Sequence, residues 1–551
     1  VFGAGGGTSS YEEVENTDLI ILWGSNARET HPIFFHHVLT AINRGARLIV
    51  VDPRRTTSAQ WADLWLGLDV GSDIALSNTI AREILVDDLH DPAFIERATV
   101  GFETYRDSVM DWTLERGEHE TGVPADAIRE LAHAYAKADR AILCWTLGIT
   151  EHHNAVDNVL SLINLSLLTG HVGKYGSGVN PLRGQNNVQG GGDMGAIPNK
   201  FPGFQDIESD PAALAKFEQA WGRKIDPHYG WTITGMFEAM GREELTSVYV
   251  IGENPANSEA DAKHTRTLLE GLDSLIVQDI FLTRTAELAD VVLPAANSTF
   301  ESDGTVTNSE RRVQRVRKAL EPPGQAKDDI WIIAQLAKRL GYDWGDPSPL
   351  DAWEELRSLS PMHAGMSWKR LEEEGGLQWP CWDESHPGTK FLHERLWSED
   401  PEARGDPAPF SVVVHEPPVD ELTEEFPLRL TTGRRLDSYN TGVQSGGYSS
   451  PMRRRETIDV SPADAERLGI VEGEMVSVTS RRGTVEAPVH VDQGLRAGLV
   501  FMTLHFPDQV ETNVLTIDAT DPKSGTAEFK ASAVRIDKLG ERVIVDVGAS
   551  P

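Results

Sequence analysis

The chain has 551 residues, in which Asp and Glu (85) outnumber Lys and Arg (51) for a formal net charge of −34. That balance argues against a nucleic-acid binder and against an anionic membrane surface, since both need a basic footprint, and the length is that of several domains. Only two cysteines occur, Cys144 and Cys381, which excludes a disulfide scaffold, a zinc ribbon and a four-cysteine iron–sulfur site carried by these residues alone.

From Asp18 to about Gly170, short β-branched runs alternate with helical periodicity, the pattern of a parallel α/β unit. Leu19–Trp23 and Arg47–Val51 read as buried strands, with a helix from Pro32 to about Asn43 between them. Ala141–Trp145 reads as a third strand, preceded by a helix that Pro124 starts. Between Asn154 and Leu168, Val156, Val159, Leu160, Ile163 and Leu167 share one helical face, and Gly170 closes that helix. A second alternation follows: strand Ser247–Ile251, helix Glu259–Leu269, strand Ser274–Gln278 and the run Val291–Leu293, which predicts a second, similar half. Residues 343–400 are rich in tryptophan and poor in periodicity, and 401–420 carry the prolines and acidic residues of a linker. After Leu428, period-two runs take over. Met475–Ser480, the turn Arg481-Arg482-Gly483 and Thr484–Val491 read as a hairpin and Leu499–Thr503 as another strand, for which a β-barrel is the economical closure. The predicted domains are 1–185 and 186–325, two Rossmann-like α/β nucleotide-binding units; 326–420, a helical connecting region and linker; and 421–551, the barrel. Apolar runs such as Leu19–Trp23 fall far short of the roughly 18 residues of a spanning helix, so no direct membrane insertion is expected.

In both halves polar loops follow the strands, at the edge where open parallel sheets bind nucleotides. They are Gly24–Pro32, Asp52–Thr56 and Gly71-Ser72-Asp73 in the first half, and Gly252–Ser258 and Gln278-Asp279 in the second. Strand-end carboxylates accept from guanine N1 and N2 hydrogens or ribose hydroxyls, while helix N-termini and arginines hold pyrophosphate; Asp52 or Asp279 alone could equally be a helix cap or a salt-bridged carboxylate. Neither half has the Gly-x-Gly-x-x-Gly fingerprint, which disfavours a nicotinamide site. An anionic substrate needs a local basic funnel in so acidic a chain, and Arg28, Arg54, Arg55, Arg183, Arg311, Arg312 and Arg453–Arg455 are candidates.

The most informative stretch is Asn180–Gly195, which packs one arginine, six amide or carboxylate side chains and five glycines into sixteen residues. Glycines let the backbone approach a bulky ligand, amides supply donors and acceptors, and the guanidinium is a planar fork that fits a carboxylate. A polar surface turn uses the same residue types, but the order Asn-Pro-x-Arg-Gly-Gln-Asn-Asn-Val-Gln-Gly resembles the active-site segment of molybdenum- or tungsten-dependent formate dehydrogenases, within the molybdopterin oxidoreductase superfamily. The resemblance extends over nearly the whole chain, including Thr283–Pro294, Asp303–Gln314 and Gln378–Cys381; the Gln-Pro-Asn-Ala pattern of related nitrate reductases is not found here.

What the resemblance implies is specific. Two pterin guanine dinucleotides flank one metal, molybdenum or tungsten, and each α/β half holds one nucleotide. Asn26, Glu29, His31, Asp52, Arg54, Gly71 and Asp73 would serve the first, and Gly252, Asn254, Ser258, Gln278, Asp279 and Asp329 the second. Leu147 and Gly148 match a pterin-side loop, Gln185 the pterin shell, and Arg434, Asn513 and Lys530 the contacts of a double-psi type barrel. Arg183 matches the arginine that holds the substrate carboxylate, and formate, oxidised to carbon dioxide, is the expected substrate. The family's metal-ligating cysteine or selenocysteine and the histidine after it are expected just before Val1, and a cysteine cluster for a four-iron four-sulfur centre further upstream. This chain alone is therefore expected to be inactive, an N-terminal part being missing; an electron-transfer subunit or acceptor is the expected partner and the cytoplasm the expected location. Ser438 stands where relatives often have a histidine. Two other readings stay open: a molybdopterin oxidoreductase for another oxyanion, which the Arg183 segment disfavours, and a metal-free scaffold subunit.

Overall fold

The computed structural model describes all residues except 4, 437, 439, 442–454 and 548–551. In the first half, β1 (Leu19–Trp23), β2 (Arg47–Val51), β3 (Leu64–Leu66), β4 (Ala141–Trp145) and β5 (Gly178–Pro181) form a five-stranded parallel sheet in the order β3-β2-β1-β4-β5. Both faces are covered, which is why these strands read as unbroken apolar runs. Ile20, Leu22, Val50, Ile142 and Cys144 pack on Phe34, Phe35 and Val38 of α1 (Pro32–Asn43). On the other face Ile21, Trp23, Leu143 and Trp145 pack with Ile80 and Ile84 of α2 (Asp73–Val86), Leu131 of α3 (Ala125–Lys137) and Leu162 of α4 (Ala155–Thr169). Cys144 is thus core, and burial pushes its thiol far up. The chain builds outward from β1 to β3 and then returns to the other side of β1 as β4, so a crevice opens at the carboxyl ends of β1 and β4. Trp23 and Trp145 are paired in register, which sets Gly24 against Gly148.

The second half is smaller than its counterpart. It has β6 (Ser247–Ile251), β7 (Ser274–Asp279) and β8 (Val291–Pro294), parallel in the order β8-β7-β6, over a core of Met240, Leu269, Leu275 and Val277. The helix expected at 259–269 runs from Ala262 to Glu270, because the Asp261 side chain caps it by accepting from the His264 N–H.

Residues 326–420 are more than a connector, and one sheet spans the expected boundary at 325. β9 (Gly304–Thr307), β10 (Arg312–Val316) and β11 (Leu377–Gln378) make one antiparallel sheet, and Val313 shares a core with Trp353, Leu371, Trp379 and Cys381. A cut at 325 would split that core. The predicted linker 401–420 is also packed: Ala408–Pro409 pairs in parallel with Thr99–Val100, and Phe410 stacks on Tyr105 at 4.9 Å.

The last strands close a barrel. β12 (Leu428–Thr432), β13 (Ile458–Val460), β14 (Met475–Ser480), β15 (Thr484–Val491), β16 (Leu499–Met502) and β17 (Ser532–Lys538) follow one another as β12-β16-β13-β15-β14-β17 and back to β12. The barrel touches both halves: Arg55 N–H donates to Gly494 O at 2.8 Å, and Asn513 Nδ2 donates to Asn257 O at 2.8 Å. Among the described residues no helix is long and apolar enough to cross a membrane.

Candidate cofactor and substrate site

A cleft of about 660 Å³ lies at the carboxyl edge of the first sheet and is roofed by the barrel. Its floor is the contact between the ends of β1 and β4. Gly148 N–H and Thr146 Oγ1 both donate to Gly24 O, at 3.2 and 2.6 Å, and a Cβ on Gly148 would lie 2.7 Å from Gly24 Cα. Only glycine permits that approach, so the floor is bare backbone.

Of the residues predicted from the first half, Asn26, His31, Asp52, Arg54, Gly71, Asp73, Leu147, Gly148, Arg183 and Gln185 line this cleft. Asn26 Oδ1 accepts from Ser58 Oγ at 2.9 Å and Thr57 Oγ1 at 3.1 Å, which joins the first loop to the second. Glu29 does not line the cleft; it accepts from Thr57 Oγ1 at 2.8 Å and from Leu436 N–H at 3.2 Å, tying that loop to the barrel. Burial pushes His31 down to about 4, so its ring is neutral: Nε2–H donates to Arg183 O at 2.9 Å, leaving Nδ1 to accept from Thr30. Burial pushes the Asp52 carboxyl up to about 6, against the pull of Arg54. Asp73 accepts from Trp23 Nε1 at 2.8 Å. Gly71 has φ +85, and a Cβ there would meet Pro418 at 2.7 Å.

The barrel brings Arg434 and Lys530 to the same cleft. Lys530 Nζ pairs with Glu151 at 2.7 Å, and the Arg54 guanidinium lies 3.6 Å over the Phe501 ring. Ser438 Oγ is buried with no hydrogen-bond partner among the described residues, while its carbonyl accepts from Arg434 Nε at 2.9 Å.

Gly252, Asn254, Ser258, Gln278, Asp279, Asp329 and Asn513 lie apart from the cleft, in and around the second sheet. Asn254 Oδ1 accepts from Thr285 Oγ1 at 2.8 Å, Gln278 Nε2 donates to Asp329 Oδ1 at 2.5 Å, and Asp279 accepts from Phe281 N–H at 3.0 Å. Ser258 Oγ donates to Glu253 at 2.8 Å, Asn513 Nδ2 reaches Ser258 O at 3.2 Å, and Gly252 turns the chain at φ +64.

The predicted funnel is only partly assembled. Arg54 and Arg183 line the cleft, whereas Arg28 and Arg55 are on the surface and Arg312 pairs with Glu310 at 3.3 Å. Arg311 is corrected to a structural role: it is fully buried and donates to the carbonyls of Gly7 at 2.7 Å, Thr389 at 2.9 Å and Lys390 at 2.7 Å. Arg453 and Arg454 lie outside the described residues, and Arg455 is exposed.

Several residues at the site escape the sequence reading. His152 and His505 line the cleft, and Glu528 lies behind His152 at 3.2 Å. His505 Nε2 accepts from Arg435 N–H at 2.9 Å, so Nδ1 is the donor towards Asn440 O at 2.9 Å. None belongs to a local motif, because docking of the barrel is what assembles them. Gln189 and Asp193 carried a weak signal, both standing in the Asn180–Gly195 segment. Each is buried, and Asp193 is pushed up to about 6 by burial.

Bare backbone at a switch point, cations from two domains and a buried carboxylate together fit a dinucleotide: donors for pyrophosphate, an acceptor for base or ribose, and room for a flat ring system. The description molybdopterin oxidoreductase matches residues 4–339, and molydopterin dinucleotide binding domain matches 428–533, the barrel. The chain belongs to the molybdopterin oxidoreductase family, and it is an enzyme of that class. Within the family it is 41% identical to the F420-dependent formate dehydrogenase subunit alpha of Methanocaldococcus jannaschii, over 98% of this chain and 79% of that one. It is 37% identical to formate dehydrogenase H of Escherichia coli, over 98% of this chain and 75% of that protein. In fold it matches acetylene hydratase from Pelobacter acetylenicus with a TM-score of 0.72 at 22% identity, covering 97% of this chain and 79% of that one.

Proposed function

We propose that the chain is the cofactor-binding body of a formate dehydrogenase catalytic subunit, in which HCOO⁻ becomes CO₂, one proton and two electrons at a molybdenum or tungsten centre held by two pterin guanine dinucleotides. The observation that carries this reading is the posture of Arg183. One edge of its guanidinium is held by protein, Nε towards Gln189 Oε1 at 3.4 Å and Nη2 towards Gly5 O at 3.3 Å. Nη1 has no hydrogen-bond partner among the described residues, so the end-on fork beside the cleft is available to a small carboxylate. Formate fits that fork, and the two relatives quoted above carry formate dehydrogenase in their names.

When bound, the cofactor supplies the two-electron redox chemistry. The chain supplies position and charge. Arg54, Arg434 and Lys530 would hold pyrophosphate and Asp52 a base or ribose of the first dinucleotide, with Asn26, Glu29, His31, Gly71, Asp73, Leu147, Gly148 and Gln185 shaping its seat. Gly252, Asn254, Ser258, Gln278, Asp279, Asp329 and Asn513 would do the same for the second. Arg183 would fix the formate carboxylate with its C–H directed into the cleft, a positioning effect reinforced by charge. The relatives extend beyond the aligned residues, and we place there the metal's protein ligand and a four-iron four-sulfur cluster that passes electrons to a partner subunit or acceptor.

Formate-driven dye reduction by the full-length, cofactor-loaded protein tests this. Arg183→Lys keeps the charge but loses the fork, so kcat/KM should fall at least about tenfold, equivalent to roughly 1.4 kcal/mol, with metal and guanine content unchanged. Arg183→Ala should fall further. Near-wild-type kcat/KM in both variants, or turnover of another oxyanion but not formate, would sink the assignment.

A further inference from the structure

The hydrogen bonds around Arg183 have a polarity, set by two acceptors, the buried Asp193 carboxylate and the Gly5 carbonyl. Gln189 and Asp193 stand four residues apart in the helical turn Val188–Asp193, so they share a face. The Gln189 amide nitrogen donates twice, to Gly5 O at 2.8 Å and to Asp193 Oδ1 at 2.8 Å, and its oxygen faces Arg183 Nε at 3.4 Å. The other oxygen of Asp193 accepts from Trp379 Nε1 at 2.7 Å. Asp193 is 0% exposed and Gln189 2%, so water cannot substitute for these partners.

A carboxylate only accepts. Asp193, together with Gly5 O, therefore holds the amide nitrogen of Gln189 on its own side and sends the amide oxygen towards Arg183. An amide in place of Asp193 has one acceptor for two donors. If it satisfies Trp379 it turns an NH₂ towards Gln189; the Gln189 amide then either keeps a donor-to-donor contact with residue 193 or rotates, which sets its oxygen against Gly5 O and its nitrogen against Arg183 Nε, and either way the hold on Arg183 is disturbed.

The frame around the three residues is fixed from both ends. Asn187 opens the turn in the left-handed region at φ +64, and its Oδ1 accepts from Thr307 N–H at 2.9 Å. Trp379 lies against Gly6, where a Cβ would come within 2.8 Å of its ring, and Gly5 beside it is the acceptor shared by Gln189 and Arg183.

We propose that Asp193 is a positioning residue for Arg183: acting through Gln189, it decides which edge of the guanidinium the protein occupies and which edge is left for the substrate carboxylate. The inference rests on the reading of Arg183 as the formate-binding residue.

The test uses the full-length, cofactor-loaded enzyme and four variants. Asp193→Asn should raise KM for formate about tenfold while kcat stays within about threefold, with metal content, guanine content and KM for the electron acceptor unchanged. Gln189→Met, which removes the intermediary without touching Asp193, should raise KM for formate similarly and keeps the test alive if Asp193→Asn does not fold. Because Asp193 acts through Gln189, the double variant should be no worse than Gln189→Met alone. Multiplying penalties in the double variant would overturn the proposal. So would wild-type KM in both single variants beside a raised KM in Arg183→Lys, although the reading of Arg183 would survive that result. A wild-type KM in Arg183→Lys would remove that reading and this inference together.

Discussion

At the scale of single residues, the site depends on buried charges that are held by more than one neighbour. Glu528 is the clearest: fully buried, it faces His152 Nδ1 at 3.2 Å and His153 Nδ1 at 3.3 Å, and accepts from the backbone N–H groups of His153 at 3.0 Å and Lys530 at 3.2 Å. Both ring nitrogens of His152 face oxygen, the second being 3.1 Å from Gly148 O, an arrangement that the doubly protonated ring satisfies beside a charged Glu528. Burial opposes both charges. The pairing overrides it, holding Glu528 well below the usual carboxylate range and His152 above its ordinary value. The depressed carboxyl contributes stability above its unfolded pKa that is lost as pH falls through the folded one; the raised histidine contributes stability below its unfolded pKa that is lost as pH rises through the folded one. The pair is therefore complete in the mildly acidic to neutral window. Glu528→Gln removes the counter-charge that holds the proton on buried His152 and should cost about 3 kcal/mol there, and less as pH falls below the unfolded carboxyl value of about 4.3, where the advantage of a charged Glu528 shrinks. Denaturant unfolding at pH 6 and pH 4 checks this; equal losses at both would show that the charge is immaterial.

At the scale of elements, the crossover between β1 and β4 makes the seat, and its tolerance is small. A methyl on Gly148 would lie 2.5 Å from Gly24 O, so Gly148→Ala should part the two strand ends and lower guanine nucleotide content at least about twofold while leaving far-ultraviolet dichroism unchanged. Full occupancy in that variant would show that the strand contact does not shape the seat. These strands were legible because each is a continuous apolar run covered on both faces, and α4 because its apolar stripe ends at Gly170, which takes the left-handed conformation at φ +66. The body around Trp353 and Trp379 was not legible. Its sheet pairs Val313 with Leu377 across an intervening helical segment, and a two-residue strand has no period to detect. The same holds for the site: Arg183 stood out by the company it keeps, but its support from Asp193 includes Trp379, 186 positions away in the chain. Spacing within a motif cannot carry that information.

At the scale of the whole molecule, buried titratable groups of opposite kinds act in one pH range. Burial pushes Asp52 and Asp193 up to about 6 and Glu259 to about 7, and it pushes His31 and His171 down to about 4 and His363 and His393 to about 3. A carboxyl with a raised folded pKa adds stability as pH falls from that value towards its unfolded one near 4. A histidine with a depressed folded pKa loses stability over the same descent, starting from about 6.5. The two sets oppose one another down to about pH 4.5; below it the carboxyls gain no more, the deepest histidines still resist protonation, and the unfolded chain takes up the proton that folded Glu528 refuses. The cofactor-free chain should accordingly keep its thermal midpoint within roughly 5 °C between pH 7 and pH 5 and drop steeply below pH 4.5. A scan in which the midpoint declines steadily from pH 6.5 would mean that the carboxyls do not compensate.

The barrel that roofs the cleft begins only at Leu428, yet it supplies Arg434, His505 and Lys530 to the cleft and the Glu528 behind it. During synthesis both α/β halves leave the ribosome first. The seat then exists as a floor without a ceiling. Closing it requires the barrel residues made after them, whose strands β12 and β17 must pair side by side. The order of translation thus makes the floor before the roof, and the cleft stays open from above until the barrel's strands β12 and β17 pair.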